Sequence, residues 1–286
     1  MTQRLFPFLT ILLAVVLLSS CSNFQKLMKS DDVDLRYAGA LKYYEEKEYE
    51  KAGVLLGELL PLLKGRSEYE KANFLYAYTK YHQQLYLESS FHFIQFGSTF
   101  PKSQLVEEAA FMNVRSLAAE SPNEDLDQSN TAKALTAIQD FLRRYPTSTF
   151  KDEANKLYTE LSSKVEFKAF DNAKLYYKLT KYNPQYYQSA VIALANFRRD
   201  YPSSKFSEEA AALRIDAQHS YAEQSIESKQ KERYQEVIAF YENFVDTYPN
   251  SKYLRTAEGF YDNARKAIEK LNASQAAAAT ATTTQQ

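Results

Sequence analysis

Phe96-Gly97-Ser98-Thr99-Phe100-Pro101-Lys102-Ser103 is one of four copies of the same phrase, Phe-x-x-x-aromatic-Pro-x-Ser. The others run from Phe141 to Tyr145-Pro146-Thr147-Ser148, from Phe197 to Tyr201-Pro202-Ser203-Ser204, and from Phe244 to Tyr248-Pro249-Asn250-Ser251. Proline cannot continue a helix, and its ring pushes the preceding aromatic out of the α region, so a helix ends there. Serine two residues later is a strong N-cap candidate for the next helix. Acidic residues follow in three copies, as Glu107-Glu108, Asp152-Glu153 and Glu208-Glu209. A helix N-terminus favours such anions. The phenylalanine stands one turn before the aromatic, so the two rings share a face. Each copy therefore reads as a helix stop followed by a helix start, and the chain reads as a repeat protein.

The spacing of the prolines agrees. Pro101 to Pro146 is 45 residues, Pro146 to Pro202 is 56 and Pro202 to Pro249 is 47. Tetratricopeptide repeats have a period of roughly 34 residues and close on proline after an Ala-x3-Phe pattern. The ends of these units fit that register. Tyr86, Ser89, Phe93 and Phe96 precede the first proline, and Ala134, Ile138 and Phe141 the second. Tyr187, Ala190, Leu194 and Phe197 precede the third, and Tyr234, Val237, Tyr241 and Phe244 the fourth. An earlier unit lacks the proline but carries Tyr43, Tyr49, Ala52, Leu56 and Leu59. The longer periods predict extended helices or looser loops in the later units. The expected fold is all-α: a right-handed α-solenoid of about five degenerate tetratricopeptide repeats plus a closing C-terminal helix. No segment alternates for long enough to build a sheet.

The first twenty residues carry a second signal. Arg4 precedes an apolar run from Leu5 to Leu18, interrupted only by Pro7 and Thr10. The run is short of the about 20 apolar residues of a membrane-spanning helix, and it suits the apolar core of a secretory signal peptide. It ends in Leu18-Ser19-Ser20-Cys21, which resembles a lipobox, making Cys21 the first mature residue and the lipid anchor. A buried core cysteine is the plainer alternative, but Cys21 is the chain's only cysteine and stands at the end of a leader. Several acyl chains anchor stably where one is marginal. Residues 1–20 are thus expected to be a lipoprotein signal peptide and 21–32 a lipidated polar tether. Residues 33–271 are read as the repeat domain and 272–286, rich in Ala, Thr and Gln, as a disordered tail.

Composition excludes several function classes. Only 6 glycines occur in 286 residues, and none forms a phosphate-binding loop. The formal net charge is −1, with 35 basic and 36 acidic residues, so no basic field points to nucleic acid. His82, His92 and His219 are not spaced as metal ligands. The paired acids after the serines are accounted for by helix dipoles before any acid–base chemistry, and no nucleophile elbow is present. The reading is a non-enzyme with no cofactor and no metal.

What remains is a binding surface. The chain holds 23 tyrosines and 18 phenylalanines but no tryptophan, and tyrosine suits both helix seams and wet grooves. In a tetratricopeptide solenoid the first helix of each pair lines a groove. That register directs Tyr37, Leu41 and Tyr44, then Phe74, Tyr78 and Tyr81, towards it. Seam packing competes with the groove for each single residue. As a set they suit an extended peptide bearing aromatic side chains.

The order of features resembles the BamD family of repeat lipoproteins from the outer-membrane β-barrel assembly machinery. The resemblance covers Cys21 to Leu271. It is carried by Asp127-Gln128-Ser129-Asn130-Thr131 leading into Ala134 and Phe141-Leu142-Arg143-Arg144-Tyr145-Pro146, and by Ala173-Lys174-Leu175-Tyr176-Tyr177-Lys178 with Arg198-Arg199-Asp200-Tyr201-Pro202. It implies a protein lipid-anchored at the periplasmic face of the outer membrane. Its N-terminal repeats would recognise unfolded outer-membrane proteins, and its C-terminal repeats the barrel (BamA-like) subunit. Ser22 lacks the aspartate that retains some lipoproteins in the inner membrane. The competing reading is a periplasmic repeat scaffold lipoprotein coordinating envelope division or peptidoglycan-linked complexes.

Overall fold

The structure, a computed structural model, describes residues 23–283. The expected signal peptide and Cys21 lie outside the described residues. After a short helical stretch at 23–28 come α1 (Val33–Glu45) and α2 (Tyr49–Leu59), α3 (Glu68–His82) and α4 (Tyr86–Thr99), and α5 (Val106–Ala119) and α6 (Ser129–Arg144). They are followed by α7 (Lys151–Leu179) and α8 (Tyr186–Asp200), α9 (Ser207–Glu223) and α10 (Glu227–Thr247), and α11 (Leu254–Thr283). No strand occurs among the described residues. The architecture is an all-α helical repeat of five helix pairs and a closing helix. The 29 residues of α7 account for the 56-residue spacing between the second and third prolines.

The four phrases share their backbone bonds and their ring contact. The aromatic before each proline leaves the α region, at φ −123°, ψ 60° for Phe100 and φ −130°, ψ 62° for Tyr201 and Tyr248. Its N–H still donates to the phenylalanine carbonyl one turn back, at 2.8–2.9 Å in all four copies. The two rings meet at centroid distances of 5.1 Å (Phe96–Phe100) and 5.4 Å (Phe141–Tyr145, Phe197–Tyr201, Phe244–Tyr248).

The serines act differently from the expected N-caps. Ser103, Ser148, Ser204 and Ser251 each donate their N–H to the aromatic's carbonyl and accept on Oγ the N–H two residues on. The helix begins three residues after each serine, at Val106, Lys151, Ser207 and Leu254. The serine therefore closes a hydroxyl-stabilised turn that aims the next helix, a local bond that competes with helical pairing.

The chain divides into two compact units, the first running to Pro122 and including Ser129–Leu161, the second comprising Asn123–Gln128 and Ser162 onward. In the first, Leu55, Leu56, Leu59 and Leu63 are fully buried with Tyr43 and three alanines. Next to them lie a Phe74–Phe93–Phe96–Met112 core and a Phe111–Ile138–Phe141–Leu161 core. In the second unit, Phe170, Leu194 and Phe197 form one core and Ile215, Tyr234, Val237 and Phe244 another.

Two terminal expectations are corrected. The tether is not simply polar linker: Phe24, Leu27 and Met28 pack on the α1–α2 core, with Phe24 edge-on to Tyr43 at 5.8 Å. Gly39 makes room, since a Cβ there would lie 2.6 Å from Leu27 Cδ1. At the other end α11 continues past Asn272 to Thr283 in place of the expected disorder. Its alanine run is the best of helix formers and needs no tertiary contact to favour that conformation.

Candidate functional site

The turns after α1 and α3 are built identically, and they bring aromatic side chains of both pairs together. Lys47 and Gln84 each adopt the left-handed region, with φ 62° and 61°. Each donates its N–H to the third residue before it, Tyr44 and Tyr81 respectively. This turn sets Tyr49 at the start of α2 beside His82 at the end of α3. The imidazole of His82 stacks on the Tyr49 ring at 4.1 Å and 13°. Tyr44, Tyr78 and Tyr81 surround the same imidazole at 6.4, 6.0 and 5.8 Å. Tyr86 extends the group edge-on to Tyr81 at 5.5 Å. The imidazole itself is exposed and the tyrosines half-buried. Such a surface offers flat apolar faces with hydroxyls at their edges.

Charges border the cluster on α5. Tyr78 Oη donates to Glu108. Burial first, and then that bond, raise the Tyr78 phenol well above its ordinary value. Burial pushes Tyr44 up to about 12, with Tyr49 and Glu108 adding to it. Burial and then Lys47 lower the His82 imidazole, favouring its neutral form. Arg115 donates from Nε and Nη2 to Glu153 Oε1, each at 2.7 Å.

The Tyr44 phenol gives a measurable signature. It loses its proton at a higher pH in the folded chain than in the unfolded one, whose value is 10.0. Its contribution to stability is therefore whole below pH 10 and is lost as pH rises towards about 12. In an alkaline absorbance titration, Tyr44→Phe should remove amplitude from the late part of the tyrosinate curve. Loss of amplitude from the early part, near pH 10, would place Tyr44 in open water.

The six groove residues expected from the sequence separate into two sets. Tyr44, Tyr78 and Tyr81 come together around His82. Tyr37 lies half-buried on the α1–α2 core, and Leu41 is half-buried on α1. Phe74 is corrected to a core residue, 7% exposed and packed against Phe93 at 6.0 Å and Phe96 at 5.2 Å. A ring has more to gain from that seam than from water. Sequence reasoning weighed His82 as a metal ligand and used Tyr49 and Tyr86 only as repeat-register positions. Only the left-handed turns bring these together, and neither turn carries the glycine that would announce it.

The paired acids also do more than the helix dipole requires. The second acid of each pair stands seven residues after its proline and accepts a bond from the first helix of the preceding pair. Tyr78 donates to Glu108, Arg115 to Glu153 and Lys174 to Glu209. Within the first unit two such bonds tie successive repeats side chain to side chain, and within the second unit one does. A separate apolar stripe, Leu87, Phe91 and Ile94, lies exposed on the side of α4 opposite Phe93 and Phe96. It borders a groove of about 450 Å³ lined by Gly97, Val106, Ala110, Ala137 and Arg144.

The sequence model of the family YfiO, described as outer membrane lipoprotein, matches residues 29–184. That is more than half of the chain and includes every residue of the tyrosine cluster. The chain belongs to the YfiO family. No curated protein matches the chain. As a YfiO-family protein it is an outer membrane lipoprotein by class. Among the described residues no helix is long and apolar enough to cross a membrane.

Proposed function

We propose that this YfiO-family chain is the BamD-type lipoprotein of the outer-membrane β-barrel assembly machinery. It is held by acylated Cys21 at the periplasmic face, and it receives unfolded outer-membrane proteins for the barrel subunit. The observation that carries this reading is the Tyr44–Tyr49–Tyr78–Tyr81–His82 cluster, within the family match and in the two repeats nearest the lipobox. Aromatic faces gathered in this way suit the aromatic side chains of a membrane strand that has not yet folded. The role is binding and presentation, with no chemical step.

Partner identification tests it. The full lipidated chain, purified from detergent-solubilised membranes, should carry a β-barrel membrane subunit and unfolded outer-membrane proteins. Cys21→Ser should release the chain from the membrane fraction and lose the barrel subunit. Recovery of cell-wall or division proteins in place of a barrel subunit would support the scaffold reading and overturn this one.

A further inference from the structure

The segment expected to be a free tether is folded from residue 23 onward. Its hydrogen bonds run on into α1. Lys29 N–H donates to the Gln25 carbonyl, Ser30 N–H to that of Leu27, and Asp32 N–H to Ser30 Oγ. Asp32 Oδ1 then accepts the N–H groups of Asp34 and Leu35 and so caps α1. Phe24, Leu27 and Met28 hold the stretch on the α1–α2 core. A free linker over 21–32 would let the domain lie up to about 40 Å from Cys21, whereas the two steps from Cys21 to Asn23 span at most about 7 Å.

A cavity of about 510 Å³ opens where this stretch meets α1. Asn23, Lys26 and Leu27 line it on one side, and Leu35, Ala38 and Lys42 on the other. Leu35, Ala38 and Lys42 stand at i, i+3 and i+7, on one side of the helix. Leu35 is 54% exposed there. Lys26 has no acid within 4.0 Å among the described residues. Three nearby acids are engaged: Asp32 in the cap, Asp34 with Arg66, and Glu46 at 3.8 Å from Lys42. An apolar centre edged by long cationic side chains suits the level of a bilayer where headgroups meet acyl chains.

We propose that this side of α1 rests on the phospholipid surface of the membrane, with Leu35 at the boundary between headgroups and acyl chains and Lys26 and Lys42 among the phosphates. Reach fixes the occupant. Acyl chains on Cys21 hold that residue at the headgroup level, a zone about 5–8 Å deep on each side of a bilayer. Asn23, which lines the cavity, is no farther from Cys21 than the depth of that zone. The proposal rests on the proposed function only in taking Cys21 to be acylated. Nine residues, two and a half turns, separate Leu35 from Tyr44, so the two project from opposite sides of α1. Docking therefore turns Tyr44 away from lipid and towards incoming chains.

The chain holds no tryptophan, so one introduced indole reports its own surroundings. The full lipidated chain is bound to vesicles of phosphatidylethanolamine and phosphatidylglycerol, with or without bromine on the acyl chains. Leu35→Trp should be strongly quenched by the brominated lipid, and Tyr44→Trp should not. Adding Lys26→Glu and Lys42→Glu to Leu35→Trp should reduce that quenching several-fold. A flexible Gly-Ser linker inserted between Ser22 and Asn23 should do the same, because it lowers the effective concentration of the face at the lipid while the chain stays on the vesicles. Cosedimentation of the parent with vesicles, lost in Cys21→Ser, reports the anchor separately. Full cosedimentation without quenching at Leu35→Trp would overturn the docked face and leave the anchor standing. Equal quenching at Leu35→Trp and Tyr44→Trp would overturn it as well, since no one side of α1 would then meet lipid. A parent that does not cosediment would overturn both the face and the anchor.

Discussion

Phe197→Ala is expected to destabilise the chain by about 3–5 kcal/mol, the range for deleting a buried phenyl ring. The ring is 4% exposed. It meets Phe170 and Tyr201, each at 5.4 Å, and shares a core with Leu194 and Ala210. Its loss removes buried area, leaves a cavity and takes away the ring against which Tyr201 stacks before Pro202. The backbone bond from Tyr201 N–H to the Phe197 carbonyl survives, so the effect isolates packing from turn formation. Phe91→Ala is the matched control, because that ring is 56% exposed. It should change stability by no more than about 0.5 kcal/mol. Denaturant unfolding followed by circular dichroism measures both. A loss below about 1 kcal/mol for Phe197→Ala would mean that the phrase does not pin its helix through the phenyl ring.

Much of this architecture is legible because the repeat phrase punishes any other reading. Proline before a short polar step leaves no choice about where a helix ends, and phenylalanine one turn earlier declares the buried face. The polar residues before Ser129 and the Tyr182-Asn183-Pro184 step likewise fall between helices, where turn-forming residues belong. The serine positions misled in register by two residues, because a hydroxyl bond to the second N–H onward is the same whether it caps a helix or closes a turn. Terminal segments misled for a different reason. Lys26 and Lys29 give 21–32 a polar look, while Phe24, Leu27 and Met28 at helical spacing find a hydrophobic landing beside Gly39.

The site was half legible. Helical spacing put Tyr44, Tyr78 and Tyr81 on facing surfaces, but spacing alone cannot separate a seam ring such as Phe74 from a rim ring. That choice depends on the neighbouring helix, here on Phe93 and Phe96. The ties from Tyr78, Arg115 and Lys174 to Glu108, Glu153 and Glu209 depend on partners 30, 38 and 35 residues away. A local reading sees only the helix dipole.

The second large effect concerns recognition. Tyr44 and Tyr81 flank His82 from different helices, and the rings they would offer a ligand lie beside half-buried neighbours that exclude water. Aromatic anchors of that kind each cost more than about 1 kcal/mol when truncated. A folded Tyr44→Ala, Tyr81→Ala double variant should therefore bind an aromatic-ended peptide from an unfolded outer-membrane protein at least roughly tenfold more weakly. Phe91→Ala, on the exposed α4 stripe, should bind as the parent does. Added salt should change the parent's affinity only modestly, because the contact is made by faces of rings more than by charges. Isothermal titration of that peptide into the parent, the double variant and Phe91→Ala is the decisive measurement. Weak binding confined to the double variant is the predicted result. Undiminished binding by the double variant, or a loss that follows Phe91 instead, would contradict recognition at the tyrosine cluster.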